Sequence, residues 1–365
     1  MDTRDIIMIY GADPEIMTLR LLQESDIANM VSPSSRIVLK PNLVVPSDAS
    51  EGATTHPQIV EACIRYFKSM GCNNIAIVES AWVGASTEDG FKAHGYNSFV
   101  QKYKVDLIDV KRDSYTKISA HGYEIEVSDA ILAADILINL PVLKGHCQTT
   151  MTCALKNMKG CISDLSKRKF HSWGLHEPIA VLNTIRCADL VLVDSLNGDL
   201  DFEEGGNPVQ TNRMFVGRDS VLVDTYAANL MGFESEEVEY IDIARHLGVG
   251  SADIESARII ELNADVAIPM PRPSHRVQSL ATHTIASSAC SACFGNLIHA
   301  LARLQERGTL DELGRKVHIG QDYKGKSGCG IGVGICTNGF NQSLPGCPPK
   351  ALDMVKFLEK LAQED

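Results

Sequence analysis

Short apolar, β-branched runs alternate along the first two thirds of the chain with segments whose apolar positions recur every three or four residues. The runs "DIIMIY" (5–10), "RIVLK" (36–40), "NIAIVE" (74–79), "VDLIDV" (105–110), "DILINL" (135–140) and "LVLVD" (190–194) predict strands. Strands alternating with helices predict an α/β fold, a largely parallel sheet flanked by helices. The clearest helix is "THPQIVEACIRYFKSMG", with Thr55 or His56 as its cap and Pro57 at the first helical position. Its apolar residues Ile59, Val60, Cys63, Ile64, Phe67 and Met70 fall in phase, and Gly71 closes it. Further on, "DSVLVDTYAANLMG" and "EEVEYIDIARHLGVG" predict two more helices.

The pattern breaks at "AIPMPRPSHRV" (267–277), where three prolines stop both helix and sheet. The expected layout is a main α/β domain over 1–266, a proline-rich linker over 267–283 and a small, cysteine-rich α/β domain over 284–365.

Composition narrows the function. The chain has 365 residues, 44% hydrophobic and 22% charged, with a formal net charge of −12. These are globular proportions, and the acidic balance argues against nucleic-acid or anionic-membrane partners. No stretch reaches the roughly 20 apolar residues of a spanning helix, and "MDTRDIIMIYG" lacks the features of a signal peptide. The expected location is cytoplasmic. Eleven cysteines, an odd number in that setting, point to metal binding or redox chemistry rather than a disulfide framework.

Five of them lie in the tail: Cys290, Cys293, Cys329, Cys336 and Cys347. Cys290-x-x-Cys293 is the spacing at which two thiolates grip one metal centre, and a cysteine followed by proline, as at Cys347, recurs as the last ligand in ferredoxin-type runs. Prolines 348 and 349 predict a helix start there, so that the positive helix end faces an anionic cluster. A [4Fe-4S] cluster is the expected cofactor, with structural zinc as the alternative. Spacing leaves open whether Cys329 or Cys336 completes the set. Cys147, Cys153 and Cys161 fall on different helix faces and are expected to be buried thiols.

In the main domain, polar residues cluster just after the strands: Lys40 and Asn42, Glu79 onward, "PVLKGH" (141–146) and "DSLNG" (194–198). Open parallel sheets bind ligands outside the carboxyl ends of their strands, so these segments should converge on one crevice. "KGHCQTTMTCALKNMKG" (144–160) predicts a helix carrying Thr149, Thr152, Lys156 and Lys159 in one sector. Lys144 and His146 would stand before its positive end, making a pocket for a phosphate or carboxylate. His56 is a capping residue that can also face the crevice as an acid or base. The acidic segment "GDLDFEEGGNPVQ" stands against a purely anionic ligand unless its acids turn outward or bind a cation. No Walker A or G-x-G-x-x-G sequence supports nucleotide binding.

"LKPNLV", "TTHPQIVEA", "LPVLKGH", "MTCALKNMKGC" and "VLVDTYAANLMG", in that order, resemble the family called domain of unknown function 362 (DUF362). "CSAC" and "PGCPP" resemble the cysteine-rich end of some members. The resemblance implies a [4Fe-4S] cluster held by Cys290, Cys293, Cys336 and Cys347, with Cys329 spare. It also implies that Lys40, Asn42, His56, Lys144, His146, Lys156 and Asn157 are motif positions, without assigning their roles. The expectation is an iron–sulfur-dependent reductase, served by a ferredoxin-like electron donor and acting on a small polar or anionic substrate. His56, His146 and Lys144 would be catalytic, and Lys40, Asn42, Thr149, Lys156 and Asn157 would bind substrate. The alternatives are an electron-transfer or sensor module without chemistry of its own, and a zinc-stabilised binding protein.

Overall fold

The structure, a computed structural model, describes every residue except Glu204, His275 and Asp365, and only the backbone of Ser291 and Glu364. It divides into two compact units: Met1–Phe170 with His176–Pro273, and His171–Leu175 with Ser274–Asp365.

The strands of the first unit are, in chain order, β1 (Asp5–Tyr10), β2 (Ile37–Pro41), β3 (Ile75–Glu79), β4 (Asp106–Asp109), β5 (Tyr115–Ala120), β6 (Tyr123–Ser128), β7 (Ile136–Leu140), β8 (Lys144–His146), β9 (Thr150–Thr152), β10 (Leu190–Asp199), β11 (Pro208–Gly217) and β12 (Arg258–Glu261). Eight of them form one sheet in the order β12-β1-β11-β10-β7-β2-β3-β4, and β5–β6 and β8–β9 are separate antiparallel hairpins. Within the sheet only β11 runs antiparallel to its neighbours, β1 and β10. The central strands β2, β3 and β7 are buried throughout, as strands covered on both faces by helices must be, whereas the edge strand β12 is exposed along its whole length.

Helix Pro57–Ser69 has His56 as its N-cap residue and Pro57 in its first turn, and it buries Ile59, Val60, Cys63, Ile64 and Phe67. Gly71, just past its end, has φ 83°, a conformation that glycine adopts without strain.

Two sequence expectations for the main unit are corrected. The run 144–160 is not one helix: it forms the β8–β9 hairpin, a single helical turn over Ala154–Asn157 and a 3-10 turn over Met158–Cys161. Three β-branched threonines in four positions favour extended chain, and the turn starts where Asp224, on helix Ser220–Leu230, accepts hydrogen bonds from the N–H groups of Ala154 and Leu155 at 2.6 and 3.0 Å. Strand β10 does not end at Asp194 but continues to Asp199, fully buried, because its polar side chains find partners inside the protein.

The second unit carries a four-stranded, all-parallel sheet of β13 (Thr284–Ala286), β14 (Val317–Ile319), β15 (Gly328–Val333) and β16 (Phe340–Leu344), in that order. Helices Ser291–Glu306 and Ala351–Glu364 pack together, and the first buries Leu297, Ile298, Leu301 and Leu304. The stretch expected as linker up to residue 283 contains helix Arg276–Ala281, with Val277 and Leu280 buried. Among the described residues no helix is long and apolar enough to cross a membrane.

Candidate functional site

In the main unit the strand ends carry a hydrogen-bonded lattice of lysine, asparagine and glutamate. Lys40, the last residue but one of β2, is in register with Asn139 of β7, and Glu79 ends β3. The Lys40 ammonium, wholly buried, pairs with the Glu79 carboxylate and also donates to the Pro41 carbonyl at 2.9 Å. Burial raises the Glu79 carboxyl despite the opposing pull of Lys40 and Lys167. Gly160 closes over this pair, since a Cβ there would collide with Glu79 Oε1 and Lys40 Nζ.

Asn157 links the lattice. Its Nδ2 donates to Asn139 Oδ1 at 2.7 Å, and its Oδ1 accepts from Asn42 Nδ2 at 2.7 Å. Asn42 Oδ1 then accepts from Lys144 Nζ at 2.9 Å. Lys144 also donates to the carbonyls of Ala53 (2.6 Å) and Glu203 (3.0 Å), so all three ammonium hydrogens are engaged within the protein. Lys144, expected as a catalytic residue, ties together the segments that carry Asn42, Ala53 and Glu203. Lys167, absent from the sequence expectation, is engaged likewise by the Ser80 and Ala81 carbonyls (3.2 and 2.8 Å) and the Ser80 hydroxyl (2.5 Å). Burial is the main cause lowering its pKa to about 8.

Glu203 centres the other half of the site. It pairs with Lys156 and lies 3.1 Å from His146 Nε2, while Lys156 donates to Thr152 Oγ1 at 2.8 Å. Burial alone would raise the Glu203 carboxyl, but Lys156, His146 and Lys144 together hold it well below the usual range. His146 Nδ1 accepts from the N–H groups of Gln148 and Thr149 (3.1 and 3.0 Å), which leaves Nε2 to carry the proton toward Glu203. Burial, reinforced by repulsion from Lys156, lowers the His146 pKa to about 4, so the ring is neutral near pH 7. Thr149, expected as a substrate ligand, turns its hydroxyl to the Met151 carbonyl at 3.1 Å within the hairpin that presents His146.

The acidic segment is thus directed inward. Glu203 serves as counterion, and Asp199 accepts from the N–H groups of Asp201, Phe202 and Asn207. Glu204 lies outside the described residues.

His56 pairs elsewhere at the same sheet end. Its Nδ1 lies 2.8 Å from Asp194 Oδ2, which also accepts the His56 backbone N–H at 2.9 Å. Burial lowers the pKa of the ring, but Asp194 outweighs it, and the net shift is upward. Among the described residues Nε2 has no hydrogen-bond partner, and the side chain stays 17% accessible. This is an imidazole oriented by a carboxylate with one nitrogen to offer.

Sequence reasoning found Lys40, Asn42, Lys144, His146, Lys156 and Asn157, and the structure joins all six in one network. Asp194 and Glu203 lie in segments expected at the crevice, but their pairing with His56 and Lys156 was missed, and Lys167 was missed altogether: only the fold makes these contacts.

In the second unit Cys290, Cys293, Cys336 and Cys347 line one cavity with Ile319, Val333 and Ile335. Cys329 is exposed on β15 and is not part of its lining. Cys290 is the N-cap residue of helix Ser291–Glu306 and Cys293 lies in its first turn. The helix after Cys347 begins only at Ala351. The positive helix end at the cavity therefore belongs to the Cys290 helix, not to the one expected after Cys347. The reason is local: Lys350 supplies the first carbonyl of the later helix, accepting from Met354 N at 3.1 Å. Glycines 334 and 346 complete the cradle, and a Cβ on Gly334 would stand 3.9 Å from Cys293 Sγ. Burial, then the neighbouring thiols, push the Cys293 thiol up to about 12. Among the described residues no group of three or more His, Cys, Asp or Glu is arranged to hold a single metal ion.

The chain belongs to the family described as Domain of unknown function (DUF362), whose pattern matches residues 37–229. That span covers the strand-end lattice and stops short of the thiol cavity. The chain is also 29% identical over 164 residues to the thylakoid-associated protein sll1697 of Synechocystis sp., a match covering 44% of this chain and 50% of that protein; it thus spans about half the relative's length. Among solved structures, the lactate racemase apoprotein of Thermoanaerobacterium thermosaccharolyticum aligns at 12% identity and a TM-score of 0.41, over 67% of this chain and 57% of that one. A protein from Thermotoga maritima aligns at 12% and 0.39, over 65% and 60%. Both scores lie below 0.5, too low to assign chemistry or a substrate.

Proposed function

We propose that this protein is an iron–sulfur-dependent redox enzyme whose main unit holds a small polar or anionic substrate at the strand ends. The observation that carries the reading is the convergence of Cys290, Cys293, Cys336 and Cys347 on one cavity, with Cys329 outside it. The donor set fits a [4Fe-4S] cluster: four thiols, apolar walls, and glycines that leave the cradle open. A bound cluster would supply electrons singly. His56, oriented by Asp194, would deliver a proton through Nε2. Lys156 would hold an anionic group, because Thr152 and Glu203 engage two of its three ammonium hydrogens and the third has no partner among the described residues.

Anaerobic purification should yield a brown protein with about four irons and four sulfides per chain. A colourless protein carrying stoichiometric zinc would overturn the reading in favour of a zinc-stabilised binding protein. One observation supports an electron-transfer or sensor module instead: the ammonium groups of Lys40, Lys144 and Lys167 are all engaged internally. Lys156→Ala separates the two, since an enzyme should lose turnover with its iron content intact, whereas a module should keep full activity.

A further inference from the structure

Five lysines surround the strand ends: Lys40, Lys144, Lys156, Lys159 and Lys167. Four of them donate hydrogen bonds to carboxylates, carbonyls or hydroxyls. Lys159 differs, for among the described residues its amine has neither a hydrogen-bond partner nor an ion-pair partner. It lies on the 3-10 turn Met158–Cys161, three residues after Lys156 on the preceding helical turn Ala154–Asn157, a separation that makes side chains neighbours on a helical stretch. It is partly exposed, and the next residue, Gly160, lies against the Lys40–Glu79 pair.

We propose that Lys159 is a nucleophilic amine that forms an imine with a small aldehyde or ketone bearing a carboxylate, the carboxylate being held by the neighbouring Lys156. This names a substrate class for the crevice and so rests on the proposed function for the crevice, but not on the cluster. The nitrogen lone pair attacks the carbonyl carbon, a C–N bond forms, and the π pair passes to oxygen. A proton passes from nitrogen to the alkoxide to give the carbinolamine, whose hydroxyl takes up one proton from solvent; the nitrogen lone pair then expels water as the C–O bond breaks, leaving an iminium ion.

The surroundings keep the amine reactive. Burial, then repulsion from Lys156 and Lys167 against the weaker pull of Glu203, lowers its pKa to about 7. An ordinary lysine at pH 7 is neutral in only on the order of one molecule in 1,000, so Lys159 presents far more neutral amine. The Lys40–Glu79 pair beside Gly160 nearly cancels its own charge and leaves that balance unchanged.

The test is reductive labelling of the full chain with glyoxylate and cyanoborohydride at pH 7, read peptide by peptide by mass spectrometry. The expected result is carboxymethylation of Lys159 at least about tenfold faster than of exposed lysines such as Lys104 and Lys356, with a rate that saturates in glyoxylate. The preference should vanish in guanidinium, and Lys159→Arg should remove this label alone. Native labelling of Lys159 no faster than that of exposed lysines would overturn the proposal, whether or not the variant folds. Failure of the cluster is distinguishable: a colourless protein that still labels Lys159 supports the imine and sinks only the iron–sulfur reading.

Discussion

The lysine lattice and the thiol cavity solve opposite problems. At the strand ends, Glu79 answers Lys40, Glu203 answers Lys156 and Asp194 answers His56, while backbone carbonyls take up Lys144 and Lys167. Apart from one ammonium hydrogen of Lys156 and Nε2 of His56, these groups find their partners among the chain's own atoms. In the tail, four thiols line one cavity with apolar side chains, and among the described residues its lining holds no cationic side chain. The first region neutralises its charges internally, and the second gathers thiols without doing so.

The sharpest way to break the contrast is to delete a thiol. Cys347→Ala should abolish iron retention, whereas Cys329→Ser should leave iron content and colour unchanged; equal losses in both would mean that the cavity does not define the ligand set. Next in size is the lattice. Glu79→Ala leaves the wholly buried Lys40 ammonium without its carboxylate and should destabilise the main unit by about 3–5 kcal/mol in urea unfolding. A loss below about 1 kcal/mol would show that the pair is not sealed from water.

The histidines give smaller effects. In Asp194→Asn the upward pull on His56 disappears while burial remains, so its pKa, followed by NMR, should drop below that of the wild type. An unchanged value would dissociate the pair. His146 titrates at about 4 in the folded chain, below its ordinary value of about 6.5. Between those values the unfolded chain binds the extra proton, so this histidine's contribution to stability is present above pH about 6.5 and is lost as pH falls toward 4. His146→Asn should flatten the stability profile in that window alone.

Much of this architecture was legible in the chain. Six strands and helix Pro57–Ser69 follow from runs whose period and punctuation leave little choice. Placing polar residues just after strands predicts their convergence, because parallel strands carry their carboxyl ends to one side. The stretch 144–160 was misjudged because its periodicity suits a helix, while its actual start depends on Asp224, some 70 residues on. Polar "DSLNG" looks like a loop, yet it is buried strand because Asn197 donates to the Ala49 and Ser50 carbonyls and Asp194 holds His56.

By itself, then, the sequence determined the elements, the residue types at the strand ends and the supply of thiols, since these depend on local period, chirality and composition. Only the tertiary structure decided which charges neutralise each other and that Lys159 alone of the five crevice lysines has no partner among the described residues; it also places Cys336 rather than Cys329 at the cavity, a choice that spacing alone left open. Pairing is a property of distance in three dimensions, and residues as far apart as Lys40 and Asn157, or His56 and Asp194, carry no local mark of the contact they will make.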